Sequence, residues 1–178
     1  MELDLEFIIL CPNRDVKDLR NTVSSLSFCY QDAESICMVD GSISAKEIKQ
    51  MKEICPTYKG KDTITSLINA GMKKVKKPWA FMVYAGSRIK TNLPQKLNQF
   101  VQSEKDILFP IVQNRTAFSD GSSNGILIHK DTFKIVGNLP TAQSTNDMND
   151  FEVSKLLWEC RAIEAGCQFK AIAGIRIN

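Results

Sequence analysis

The sequence has 178 residues, 43% hydrophobic and 24% charged, which is enough apolar surface for one domain with a sizeable core and too much for a disordered chain. Its 23 basic and 20 acidic side chains leave a net charge of +3, too balanced to point to DNA or RNA. No apolar run approaches the length of a membrane span, and Glu2, Asp4 and Glu6 stand where a signal peptide would be basic. The expectation is a cytoplasmic protein folding as a single domain over 1–178, with no linker and no internal repeat.

In chain order, Phe7 to Cys11 is a short apolar run stopped by Pro12-Asn13, a buried strand followed by a turn. Val16, Leu19, Val23 and Leu26 recur at helical spacing. Ser35 to Val39 reads as a second strand, ended by the turn signature Asp40-Gly41-Ser42. Ser44 and Glu47 form a capping box for a second helix with Ile48, Met51 and Ile54 on its inner face. Ile64, Leu67, Ile68, Gly71, Met72 and Val75 mark a third helix, and Lys73, Lys74, Lys76 and Lys77 its solvated end. Trp79 to Tyr84 is almost wholly apolar, as in a central strand covered on both faces.

Leu93, Leu97, Phe100 and Val101 predict a fourth helix with Pro94 in its first turn. Ile107 to Val112 is a strand despite Pro110, Asn114 to Asn124 a polar loop, and Gly125 to His129 a short strand. Asp131 to Val136 forms a short helix closed by Gly137 in the αL conformation. After a polar stretch over Ser144 to Asn149, Val153, Leu156, Leu157 and Cys160 define the inner stripe of a last long helix ending near Gly166. Phe169, Ala171, Ala173, Ile175 and Ile177 alternate as in a final strand.

Strands alternating with helices give a three-layer α/β/α domain around a mostly parallel sheet. Ligands of such sheets bind beyond the carboxyl ends of the strands. Pro12-Asn13, Asp40-Gly41-Ser42, Ala85-Gly86-Ser87-Arg88 and the loop before the last helix fall there. The six cysteines contain no C-x-x-C pair and read as reduced thiols, several of them in the core. The single histidine, His129, reads as structural, with a ligand contact as the alternative.

The ordered set Ile8-Ile9-Leu10-Cys11-Pro12-Asn13, Met38-Val39-Asp40-Gly41-Ser42, Asn69-Ala70-Gly71, Gly125 to Gly137 and Asn149-Asp150-Phe151-Glu152 resembles the inverting glycosyltransferases of the GT-A fold, family 2 in particular. The resemblance covers almost the whole chain. It implies the nucleotide-diphospho-sugar transferase fold and transfer of a hexose from a nucleotide diphosphate sugar to a hydroxyl acceptor. It also implies that Asp40 contacts the base or ribose and that Asp150 is the general base. Pro12, Asn13, Gly41, Ser42, Tyr84, Ala85 and Gly86 would line the nucleotide-sugar site. An oligomer supplying part of the acceptor side is a further expectation by analogy.

The family ends its central strand with an aspartate-x-aspartate pair that holds manganese or magnesium. Here Tyr84 and Gly86 occupy those positions, and neither is a hard anionic oxygen ligand. No metal ligand and no cofactor are assigned. Either Arg88 neutralises phosphate in place of the cation, or the domain keeps the shape and binds a nucleotide sugar or partner without catalysis. Each acid also has a plainer reading: Asp40 as a turn former, Asp150 as a helix-terminal aspartate, with Glu152 and Asp147 as weaker candidates for the base.

Overall fold

The computed structural model describes residues 3–13, 15–112, 115–116, 124–143, 148–173, 175 and 177. The elements run β1 (Leu5–Cys11), α1 (Val16–Cys29), β2 (Glu34–Val39), α2 (Ala45–Lys52), β3 (Thr57–Lys59), α3 (Ile64–Lys74), β4 (Trp79–Tyr84) and α4 (Leu93–Asn98). They continue with β5 (Asp106–Val112), β6 (Arg115–Thr116), β7 (Ile126–His129), α5 (Lys130–Val136), α6 (Asp150–Glu164) and β8 (Gln168–Ile172). Strands pair in the order β3-β2-β1-β4-β7-β5-β6, with β8 on β5. The pairs β1–β2, β1–β4, β2–β3 and β5–β8 are parallel, whereas β7 is antiparallel to both β4 and β5.

Alternation along β1 divides the interior. Leu5, Phe7, Ile9 and Cys11 face one core with Leu19 and Leu26 of α1, Met51 of α2, and Leu93 and Leu97 of α4. Ile8 and Leu10 face the other with Leu67 and Met72 of α3, Phe133 of α5 and Trp158 of α6. Covering both faces is why β1 and β4 read as continuous apolar runs rather than alternating ones. Glu6 is the exception: its buried carboxylate accepts the N–H groups of Lys76 (2.6 Å) and Lys77 (3.3 Å). It thereby fixes the connection from α3 into β4.

The capping box at Ser44 and Glu47 is present, and Pro94 sits in the first turn of α4. Several expectations need correction. A three-residue strand, β3, follows α2, and β6 lies within the stretch assigned to a loop. The last strand stops at Ile172, which is buried while Ala171 is exposed. Ile177 instead makes an isolated antiparallel bridge with Ile89. Gly137 has positive φ (89°) but ψ of 179°, so it lies in a glycine-specific region other than αL.

The largest correction concerns α6. Its buried residues are Ser154, Lys155, Trp158, Glu159 and Ala162, while Leu156, Leu157 and Ile163 are 46%, 47% and 59% exposed and Cys160 also faces outward. The helix is turned away from its apparent apolar stripe by Trp158. That indole stacks on Phe133 with ring centroids 5.7 Å apart and donates its Nε1–H to the Gly137 carbonyl at 2.7 Å. One tryptophan with a satisfied N–H outweighs a pair of leucines left half exposed. The same rotation buries Lys155 and Glu159, whose charged atoms lie 3.6 Å apart. Burial raises the Glu159 carboxyl above its ordinary range, and the Lys155 ammonium only partly offsets this.

Candidate functional site

Strand register brings Cys11, Val39 and Tyr84 to one edge of the sheet, with Cys11 opposite Val39 and Leu10 opposite Tyr84. The turns leaving these ends build the site. After β1, Asn13 takes φ of 52°, a left-handed conformation that asparagine tolerates better than most residues. Its N–H donates to Asp40 Oδ2 at 2.7 Å. Asp40 Oδ1 accepts the Ser42 N–H at 2.8 Å and also the Ser42 hydroxyl. Burial alone would raise the Asp40 carboxyl. The Ser42 hydroxyl, the N–H groups of Asn13 and Ser42, and the Lys59 charge overcome that and hold it below its ordinary value. Asp40 is 5% exposed, and two donors from Ser42 with one from Asn13 fill three of the roughly four acceptor positions of an ionised carboxylate. Among the described residues one acceptor position is left over.

Gly41 donates its N–H to Asp62 Oδ1 at 2.6 Å, and a Cβ at Gly41 would overlap that oxygen. Asp62 belongs to the loop entering α3, whose N-cap is Thr63. It ties the third element of the edge to the Asp40 turn.

At the end of β4, Tyr84 to Ser87 form a tight turn, with the Ser87 N–H donating to the Tyr84 carbonyl at 3.1 Å. Gly86 has φ of 93°. Its N–H donates to Thr22 Oγ1 (3.0 Å) and to the Asp18 carbonyl (3.2 Å), both on α1. The Thr22 hydroxyl donates to the Ser87 carbonyl at 2.8 Å, Ser25 accepts the Ile89 N–H at 3.0 Å, and the Cys29 thiol donates to the Ile89 carbonyl at 3.2 Å. Thr22, Ser25 and Cys29 lie on one stripe of α1, so the segment after β4 is sewn to that helix. Asn124 completes the turn: its Oδ1 accepts the Tyr84 N–H at 3.1 Å. Tyr84 is half-buried, Ala85 and Ser87 are buried, and Arg88 is exposed.

The acceptor-side candidate, Asp150, is the first residue of α6 and is exposed. Asn149 and Glu152 form a capping box: Asn149 Oδ1 accepts the Glu152 N–H at 3.0 Å, and Glu152 Oε2 accepts the Asn149 N–H at 2.8 Å. Glu152 is committed to the cap and Asp150 is left facing a groove of about 510 Å³, lined also by Lys61, Thr63, Ser66, Asn69 and Ser154. Asp147 lies outside the described residues. Asn69 holds the opposite wall, donating from Nδ2 to the Leu139 carbonyl (2.9 Å) and accepting the Leu139 N–H (2.8 Å).

Asp40 and Asp150 are thus linked by one loop: Asp62 reaches Gly41, while its neighbours Lys61 and Thr63 line the Asp150 groove. His129 is buried, accepts the Asp131 N–H on Nδ1 at 3.3 Å as a helix cap, and packs edge-on against Trp79. Its role is structural.

The turn after β4 does not fit a hard divalent cation, because its side chains are a phenol, a methyl, a hydrogen and a hydroxyl. The carboxylate facing it is Asp18, whose Oδ1 would lie 3.4 Å from a Cβ at Gly86. Among the described residues, no three His, Cys, Asp or Glu side chains converge as metal ligands. Asp18, Asp62 and Thr22 were not singled out from sequence. Asp62, two residues after a glycine and beside a helix cap, carried a faint signal; Thr22 and Asp18 carried none. Also among the described residues, no helix is long and apolar enough to cross a membrane.

No protein-family model matches the chain, and no curated protein matches it in sequence. Its fold is similar to the crystal structure of S. aureus TarS, with a TM-score of 0.66 at 10% identity over 98% of this chain and 36% of that one. The chain therefore spans little more than a third of TarS. The likeness gives the fold alone, an α/β architecture around a mostly parallel sheet.

Proposed function

We propose that this domain binds a nucleotide diphosphate sugar at the carboxyl edge of β1, β2 and β4 and transfers the hexose to a hydroxyl acceptor. The observation that carries this reading is the loop 60–63, which joins the Asp40 turn to the open groove at Asp150. Pro12, Asn13, Asp40, Gly41 and Ser42 form the nucleoside side, where the remaining acceptor position of Asp40 takes a base amide or ribose hydroxyl. Tyr84, Ala85, Gly86 and Arg88 form the diphosphate side. The Asp150 carboxylate removes the proton of the acceptor hydroxyl as that oxygen bonds to the anomeric carbon. The bond from that carbon to the diphosphate oxygen breaks, and the electron pair leaves with the diphosphate. Arg88, a fork of guanidinium donors at the exposed end of the turn, meets the developing negative charge. No step is assigned to a metal, since the turn lacks the carboxylates to hold one. Six free thiols suit the reducing cytoplasm.

A second reading, donor binding without transfer, draws on the β4 turn. The backbone that would face the diphosphate is already hydrogen-bonded to α1. Calorimetric titration with UDP and GDP, with and without manganese, followed by a turnover assay with a panel of nucleotide sugars and acceptors, separates the two. Manganese-independent binding lost in Arg88→Ala, with turnover lost in Asp150→Asn, is the expected outcome. Binding without turnover in the unmodified protein selects the second reading. Tight binding that requires manganese and ignores Arg88 overturns the phosphate assignment.

A further inference from the structure

Along the flank of α3, next to the Asp150 groove with which it shares Lys73 and Asn138, lies a groove of about 570 Å³ between α3 and α5. Its floor is apolar, made by Met72, Val75 and Phe133, and its rim carries Lys73, Lys130 and Lys134. Lys73, Lys130 and Lys134 belong to two helices far apart in sequence, so the cluster is a product of the fold. The carboxylate at the rim is Asp131, which pairs with Lys134 at 2.9 Å. Lys130 donates to the Lys76 carbonyl at 2.9 Å, a contact that holds its position, and its charge also acts on Asp131, whose direct partner is Lys134. Lys74, packed over the Tyr58 ring at 5.1 Å, and exposed Lys76 extend the positive field at this end of the sheet. Lys77 is excluded from it, being bound by Asp4 and Glu34 at 3.0 and 3.1 Å.

We propose that this groove docks an acidic peptide segment of a partner protein, with an apolar side chain on the floor and carboxylates on the lysine rim. Charge complementarity selects the sign of the partner, and the recessed floor selects its form. A lipid surface would be met by protruding apolar side chains and a convex basic face. Here the apolar atoms lie below the charges, which suits an extended chain presenting one side chain downward. The groove is walled by helices, so recognition rests on side chains and not on strand addition. The proposal does not depend on the transferase reading: of the six residues only Lys73 also lines the Asp150 groove, and Met72, Val75, Lys130, Phe133 and Lys134 do not.

The test is fluorescence anisotropy with a labelled ten-residue peptide in which a central leucine is flanked by glutamates. Two further peptides replace the glutamates by lysines or the leucine by glutamate, and phosphatidylserine vesicles form a fourth arm. Saturable binding of the first peptide is expected, weakening as salt rises. The double variant Lys73→Glu, Lys130→Glu should weaken it by about tenfold or more. The variant Lys49→Glu, Lys52→Glu, which makes the same charge change on exposed residues of α2, should leave it within about twofold. All four lysines are exposed or on the rim, and an unchanged thermal midpoint certifies folding; Lys73→Gln, Lys130→Gln gives a milder version of the same loss. The proposal is overturned by equal losses in the α2 control, by equal affinity for the leucine-free peptide, by binding to vesicles but not to the peptide, or by no saturable binding.

Discussion

Two aspartates at the same edge of the sheet are held in opposite ways. Asp40 is buried and accepts two donors from Ser42 in its own turn and one from Asn13 after β1, so the carboxylate is first of all a joint between β1 and β2. Asp150 is exposed at the start of α6, where Asn149 and Glu152 have taken over the capping. A residue already consumed by its own backbone contributes rigidity, and one relieved of that duty is available for chemistry. Stability and activity should therefore separate cleanly between them.

The widest separation is expected from Asp150→Asn, which should lower turnover by about 10²–10⁴-fold, the usual worth of a general base, with an unchanged denaturation midpoint. Comparable loss of stability in that variant would break the comparison. Asp40→Ala should do the reverse on the stability side, costing about 2–4 kcal/mol in urea unfolding as the Asn13 and Ser42 donors lose their acceptor.

Acid titration sharpens the same contrast. The folded Asp40 carboxyl sits below its ordinary value of 3.8, so its contribution to stability is complete above that value. It is lost as pH falls through the lower, folded value. Asp40→Asn should flatten stability against pH in that window, with the buried Asp106 carboxylate, held down by Lys170 and the N–H groups of Gln102 and Ser103, still contributing.

Smaller effects probe the neighbouring turns. Thr22→Val removes the hydroxyl that joins Gly86 to Ser87 and should cost about 1–2 kcal/mol, with the nucleotide titration reporting whether the β4 turn has loosened. Gly41→Ala should cost about 1 kcal/mol, since the exposed Asp62 side chain can swing aside once its bond to the Gly41 N–H is blocked. Least disturbing is thiol labelling. Cys160 is exposed and should react first, whereas burial pushes the Cys55 thiol up to about 11 and a buried Cys11 neighbour raises Cys37 further. Fast labelling of Cys37 in the folded protein would contradict the packing of the β1–β2 face.

Features that act locally were legible in the sequence. The runs of β1 and β4, the Ser44–Glu47 box and Pro94 in the first turn of α4 each depend on residues within a few positions of one another. Strand β3, at three residues, is too short to show a period. Helix α6 misled because periodicity weighs Leu156 and Leu157 above one Trp158, while the structure weighs the indole and its bond to Gly137. At the site, Asp40 and Asp150 could be picked out by motif, but the contacts that distinguish them could not. Asp62 to Gly41 spans 21 residues and Thr22 to Gly86 spans 64, and no local pattern encodes such pairings.

The bridge between Ile89 and Ile177 sets an order of events. Strands β1 to β4 can pair once residue 84 has left the ribosome, and α1 is then present to receive the turn after β4. The outer edge of β5 and the partner of Ile89 arrive only with residues 168–177. At ordinary translation rates this is a delay of roughly 5 to 20 s, during which the Pro110 edge and the underside of the segment after β4 lack their cover. A nascent chain stalled before residue 168 should accordingly be cut by protease near Ile89 and Pro110, while its first four strands stay resistant.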